Sequence, residues 1–319
     1  MIFSVILLIV SFVLLIKGAG FLVDGASSLA KRWGISPLMI GLTIVALGTS
    51  APELLVNIFA AIRGTSGITF GNIIGSNIFN LLFILGLSAI IFPLTVNKGT
   101  TWKEVPLALL AVVVLSLTVN DWLIDKAHIS VLSRIDGLVL LCFFIIFLYY
   151  TFAIAKQKSV NEAPAIKTYN LLFSLIMVMG GLVMLIFGGK WAVSSGTTIA
   201  QALGASEALI GLTILALGTS LPELFTSAVA AYKKNPDIAV GNIVGSNIFN
   251  ILLVLGVSGL IRPAIFSLSL NTDLLVLAGS TALLFIFLLI GKRHVLERWQ
   301  GVIFVLLYVS YVVFLISRG

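Results

Sequence analysis

Glu53 and Glu223 are the residues whose type and setting first suggest chemistry. Each lies inside an apolar run long enough to cross a bilayer. A carboxylate at membrane depth costs about 2.5–3.5 kcal/mol even on lenient insertion scales, so it marks a functional site by default. Snorkelling fits poorly, because the side chain is short and both positions are far from the ends of their runs; pairing with Lys17 or Lys190 is the structural alternative. Each Glu follows a proline, in GTSAPE at 48–53 and GTSLPE at 218–223. Pro52 has no amide hydrogen, so the Gly48 carbonyl loses its helical partner. Gly48 and Gly218 add a second weak point. Two broken helices are therefore expected, with free carbonyls near Thr49 and Thr219. Unwound backbone in a membrane is tolerated only against protein or a wet cavity, and matched breaks in two halves of a chain point to a transporter site.

A second motif supplies more oxygen. GNIIGSNIFN at 71–80 and GNIVGSNIFN at 241–250 place Asn72, Ser76 and Asn80, and again Asn242, Ser246 and Asn250, on one helix face at i, i+4, i+8. Asn77 and Asn247 adjoin the stripe. Such groups can be interhelical glue worth about 0.6 kcal/mol each. For Asn72 and Asn242 glue and function are balanced; for Ser76, Asn80, Ser246 and Asn250 function is preferred. Gly71–Gly75 and Gly241–Gly245 are read as close-packing pairs. The sum is a hard, all-oxygen ligand set. Ca²⁺ takes six to eight oxygens in flexible geometry, and two carboxylates balance one divalent ion. Na⁺ could use the same oxygens with the serines, whereas Zn²⁺ and Cu⁺ prefer nitrogen or sulfur. The only cysteine, Cys142, sits in LLCFFIIFL, and His128 and His294 fall in loops. With no histidine in a span and no G-x-S-x-G elbow, an intramembrane hydrolase is disfavoured. The residues alone leave open a passive cation channel, since acids also line pores.

The elements that must position these groups follow from composition. Of 319 residues, 60% are hydrophobic and 10% charged, far below the roughly 25% charged of soluble domains. The class is all-α integral membrane. Ten apolar spans are expected, at about 2–24, 36–61, 70–93, 104–120, 134–154, 169–192, 207–231, 239–261, 272–291 and 300–317. GLTIVALGTSAPEL starts at Gly41 and GLTILALGTSLPEL at Gly211; the second motif starts at Gly71 and Gly241, the same 170-residue offset. A constant offset over two separated motifs indicates duplication. The first repeat covers 1–154, with its motif region at 41–90; a polar linker covers 155–168; the second repeat covers 169–319, with its motif region at 211–260. A duplicated five-span unit must enter the membrane from opposite sides, so the halves are expected to be inverted repeats with broken helices 2 and 7. If both termini are outside, the inner loops hold 12 Lys and Arg residues and the outer side 5, in line with the positive-inside rule. The net charge of +7 is thus loop charge rather than a nucleic-acid patch. Lys17 and Asp24, i and i+7 on span 1, and Lys190 on span 6 are expected to snorkel or pair near an interface. Glu207 reads as an acid at a helix N-terminus.

At these motifs the sequence resembles the cation/Ca²⁺ exchanger superfamily, in particular prokaryotic sodium/calcium exchangers. GTSxPE and GNxxGSNxxN, once per half, look like that family's α-repeats, and the resemblance covers the whole chain. It implies Glu53 and Glu223 as central Ca²⁺ ligands, with the backbone carbonyls of Thr49 and Thr219. It implies Ser50, Ser76, Ser220 and Ser246 at outer Na⁺ sites, aided by the carbonyls of Ala46 and Ala216, and Asn80 and Asn250 at the remaining central positions. It further implies Na⁺/Ca²⁺ antiport by alternating access, with spans 1 and 6 sliding across the core. The alternative within transport is exchange of H⁺ for Ca²⁺ or another divalent cation. Some relatives carry Asp where this chain has Asn250, which argues against K⁺ co-transport. No enzyme activity and no cofactor are expected. The partners are Ca²⁺, Na⁺ and the lipid bilayer, not nucleic acid. The linker is too short for a separate Ca²⁺-sensing domain, and a monomer in a prokaryotic inner membrane is expected.

Overall fold

A computed structural model of the chain describes residues 2–155, 167–203 and 216–318. The fold is built almost wholly from apolar helices: α1 (Ile2–Trp33), α2 (Pro37–Thr49), α3 (Ala51–Arg63), α4 (Ser66–Ile91), α5 (Lys98–Thr118), α6 (Arg134–Ala155), α7 (Leu171–Ala202), α8 (Ala216–Gly218), α9 (Leu221–Tyr232), α10 (Pro236–Ile261), α11 (Leu268–Phe287) and α12 (Arg298–Arg318). Among the described residues, eight helices are long and apolar enough to cross a membrane, and nine if the bent pair α2–α3 is one span. Residues 156–166 of the expected 155–168 linker, with Lys156 and Lys158, lie outside the described residues, as do Glu207 and the first part of the seventh expected span.

The helices that carry the second motif form the centre. In α10, 94% of the apolar window is buried and in α4 78%, against 22% in α1, α6 and α12. The peripheral helices turn Leu, Ile and Phe outward, which suits hydrocarbon. Both motif helices widen after Ile78 and Ile248 into π-helical turns over Phe79–Ile84 and Phe249–Leu255. A π-turn holds an extra residue, re-aims the side chains around it and recurs at functional sites. Asn80 and Asn250 sit in these turns.

Helices α1 and α7 run past the expected span ends, at 32 residues each, or about 48 Å at 1.5 Å per residue. Polarity at Asp24 made span 1 look shorter. The continuation is rich in small residues, and Gly25, Ala26, Ser27 and Ser28 are buried. The two helices pack on each other through glycine. A Cβ on Gly18 would lie 2.9 Å from the Gly181 carbonyl oxygen, and one on Gly181 would lie 2.7 Å from that of Gly18. Asp24 pairs with Lys233 at 2.6 Å rather than with Lys17, and Lys233 also donates to the Gly20 carbonyl at 3.0 Å. Lys17 is exposed.

Two short antiparallel pairs tie the loops together. β1 (Leu94–Thr95) pairs with β4 (Val295–Leu296), and β2 (Ser130–Leu132) with β3 (Ala264–Phe266). Beside them, Asn97 donates to Asp237 at 3.0 Å, and Asn120 and Asn271 exchange amide hydrogen bonds at 2.9 and 2.8 Å.

Candidate ion-binding site

The break that positions Glu53 falls one step later than the proline argument suggests. Helix α2 continues through Gly48 to Thr49; Ser50 leaves helical geometry at φ −81°, ψ 4°, and α3 restarts at Ala51, bent by 45°. The second half repeats this. α8 ends at Gly218, Ser220 has φ −90°, ψ 7°, and α9 starts at Leu221. Proline at the second helical position explains the restart, since its missing N–H is an orphan there in any case. The two glycines are not the weak points. They permit close approach of α7: a Cβ on Gly48 would come within 2.5 Å of Leu182, and one on Gly218 would overlap Val193. The Ala46 carbonyl is not free, because it accepts the Ser50 N–H at 2.9 Å and the Thr49 hydroxyl at 3.3 Å. Ala216 opens the short α8 turn.

Both glutamates are fully buried, and each is held by the other half. Ser50 Oγ donates to Glu223 Oε1 at 3.0 Å, and Ser220 Oγ donates to Glu53 Oε1 at 3.0 Å. Ser246 Oγ reaches Glu223 Oε1 at 3.4 Å. Neither lysine raised as a partner forms a salt bridge with a glutamate among the described residues. The remaining oxygens, Glu53 Oε2 and Glu223 Oε2, are buried without a hydrogen-bond partner, as are Ser76 Oγ, Asn80 Oδ1 and Asn250 Oδ1. Buried polar atoms are nearly always paired, so five orphaned oxygens on the motif residues of both halves need an explanation.

Asn72 and Asn242 serve the threonines. Thr49 Oγ1 donates to Asn242 Oδ1 at 2.9 Å, and Thr219 Oγ1 to Asn72 Oδ1 at 3.4 Å. Their amide nitrogens are held in turn, Asn242 by Ser227 Oγ at 3.0 Å and Asn72 by Asn57 Oδ1 at 2.7 Å. Asn57 and Ser227 escaped the sequence reading. They stand four residues after each glutamate, on the same helix face and at the repeat offset, which is the signal that could have found them. Gly241 and Gly245 do pack closely, against Leu38, Leu42 and Ala46; a Cβ on Gly71 or Gly75 would meet no described atom within 4 Å beyond its own helix, and these two instead line a cavity of about 990 Å³ with Asn72, Thr219, Lys190, Asp273 and Arg318. Among the described residues, no group of three or more His, Cys, Asp or Glu is placed to hold a metal ion. Any ion here would be held by the two carboxylates and neutral oxygens.

The sequence model of the sodium/calcium exchanger protein family matches residues 3–153 and 173–317. The chain belongs to the sodium/calcium exchanger family. CaxA of Alkalimonas amylolytica is 37% identical, over 99% of this chain and all of that one. The sodium/calcium exchanger MaX1 of Methanosarcina acetivorans is 30% identical over 97% of each chain. The fold matches the solved structure of the sodium-calcium exchanger NCX_Mj, with TM-score 0.84, 34% identity and 98% of each chain covered. Family and fold are those of a membrane transporter, and cation/Ca²⁺ exchange is the activity they support.

Proposed function

We propose that this exchanger family member is a secondary-active antiporter that moves Ca²⁺ against Na⁺ through one site shared by both halves. The observation that carries this reading is the set of orphaned oxygens, Glu53 Oε2, Glu223 Oε2, Asn80 Oδ1, Asn250 Oδ1 and Ser76 Oγ. Two carboxylates and neutral acceptors in a fully buried setting suit a hard divalent cation, whose charge the glutamates neutralise. The carbonyls of Thr49 and Thr219 complete the central site. Ser50, Ser76, Ser220 and Ser246, with the carbonyl of Ala216, hold Na⁺ when Ca²⁺ has left; the Ala46 carbonyl, already taken by the Ser50 N–H and the Thr49 hydroxyl, is left out of the set. NCX_Mj, which this fold resembles, was soaked with Na⁺, Ca²⁺ and Sr²⁺.

In this reading ten spans form two inverted repeats, residues 1–154 and 169–319, joined on the cytoplasmic side by 155–168, with both termini outside and the chain monomeric in a prokaryotic inner membrane. The loop ties support it. With ten spans, the loops joined by β1–β4 follow spans 3 and 9, and those joined by β2–β3 follow spans 4 and 8. Each pair then falls on one side of the membrane. Alternating access comes from α1 and α7, paired through glycine, sliding over the α4–α10 core.

The test is Ca²⁺ uptake into proteoliposomes loaded with Na⁺ and diluted into Na⁺-free buffer at clamped pH, with Glu53→Gln in parallel. Uptake that needs the Na⁺ gradient and is lost in the variant is the expected result. Uptake driven only by a pH step would replace Na⁺ with H⁺ as the counter-ion. Ca²⁺ flux that ignores both gradients would overturn antiport.

A further inference from the structure

Four asparagines cross between the two central helices. Asn80 Nδ2 donates to Asn247 Oδ1 at 3.0 Å, and Asn250 Nδ2 donates to Asn77 Oδ1 at 2.9 Å. Asn77 Nδ2 in turn donates to the Asn247 backbone carbonyl at 3.1 Å, and Asn247 Nδ2 to that of Asn77 at 3.3 Å. All four side chains are buried, three of them completely and Asn247 to within 3%.

The ends of an amide differ only in what they do: nitrogen donates and oxygen accepts. A backbone carbonyl can only accept. It therefore holds the nitrogen end of Asn77, which leaves the oxygen end for Asn250. That oxygen captures the nitrogen of Asn250, and the Asn250 oxygen is left pointing away from the pair. The same order runs from the Asn77 carbonyl through Asn247 to Asn80. The two oxygens at the ends of these relays, Asn80 Oδ1 and Asn250 Oδ1, are the orphaned acceptors of the candidate site.

We propose that Asn77 and Asn247 are positioning residues that set the polarity of the ion site: each turns an amide oxygen, rather than an amide N–H, toward the cation. This rests on the ion-site reading above. Because each relay passes through the opposite half, Asn250 being set by Asn77 and Asn80 by Asn247, the site has its oxygens in place only while α4 and α10 are docked. Without Asn77, the Asn250 amide is free to turn its donor end inward, where it would repel a cation.

The test is Ca²⁺ binding by calorimetry, together with the Ca²⁺ KM and maximal rate of uptake in proteoliposomes. Asn77→Ala is expected to weaken Ca²⁺ binding about tenfold, the low end of what is lost with a partner that orients a metal ligand, and to raise KM more than it lowers the maximal rate. Asn250→Asp is the deciding background. A carboxylate has oxygen at both ends and needs no orienting, so adding Asn77→Ala to it should change affinity less than twofold. An equal loss in both backgrounds, or Asn77→Ala with wild-type affinity, overturns the proposal. The Asn247→Ala and Asn80→Asp pair asks the same question from the other half if an Asn77 variant does not fold. Glu53→Gln separates the two readings. If it binds Ca²⁺ as wild type does, the ion site itself is wrong; if it loses Ca²⁺ while Asn77→Ala does not, only the positioning role falls.

Discussion

At each glutamate one oxygen accepts a hydroxyl hydrogen from the opposite half while the other has no partner. Glu53→Gln keeps the shape but puts an amide and no charge where, on the proposed reading, an oxygen faces the ion. Breaking a buried charge pair costs about 3–5 kcal/mol, so Ca²⁺ affinity should fall by a factor on the order of 100 or more. Calorimetry in detergent would register this without any transport assay. Both glutamates, their prolines and the asparagine stripes were legible in the sequence, because a carboxylate in an apolar run is costly and duplication repeats the signal. Other partners were not. That Ser50 serves Glu223 and not its near neighbour Glu53 depends on how the halves dock, and no local pattern encodes it. Asn77 and Asn247 look like neighbours of the stripe until their partners are known.

The long helices α1 and α7 raise the matching question at the scale of elements. Their glycines let two backbones approach where a side chain would collide with backbone atoms, and backbone cannot step aside as a flexible side chain can. Gly181→Val should therefore destabilise the pair by about 1–3 kcal/mol, the usual cost of overpacking. Gly180→Ala, with no described atom within 4 Å of the new Cβ, should leave the melting temperature the same or slightly higher, since alanine favours a helix interior over glycine. Thermal unfolding of the purified variants would separate them. The length of these helices was not legible, because hydropathy falls at Asp24 while burial of the small residues continues to Ala30. The break at Ser50 was misplaced for a related reason. A proline near a helix start restarts the helix rather than dissolving the turn before it, and the glycine beside it answers to α7.

For the whole molecule, the all-helical membrane class was legible in the composition, while the duplication and the loop charges supply the ten-span plan with outer termini that labelling can test. Cys142 is the only cysteine and is exposed, so Cys142→Ser gives a background without thiols. Single cysteines placed at Lys98 and at Arg318 should then label from opposite sides, with membrane-impermeant maleimide reaching position 318 but not 98 in intact cells. Labelling of both from one side would refute the ten-span plan with outer termini.

The Asp24–Lys233 pair joins the second half of α1 to the residue that follows α9. On the inverted plan, the 170-residue offset carries Asp24 to Ser194 and Lys233 back to Arg63. The mirror-image contact thus has a cation but no carboxylate. Two exact copies would rest equally in their two states; a pair present at Asp24 and Lys233 but missing its carboxylate at the matching positions would weight this one toward the fastened state. A partly exposed pair of this kind is worth about 0.2–1 kcal/mol, enough to tilt the resting populations by up to about fivefold. Asp24→Asn should remove the tilt, weakening apparent Ca²⁺ affinity on the side to which the fastened state opens and strengthening it on the other, as paired measurements on oriented vesicles would record. High salt should imitate the variant, since it screens an exposed pair. The direction in which this exchanger waits between turnovers would then be set by a single carboxylate outside the ion site.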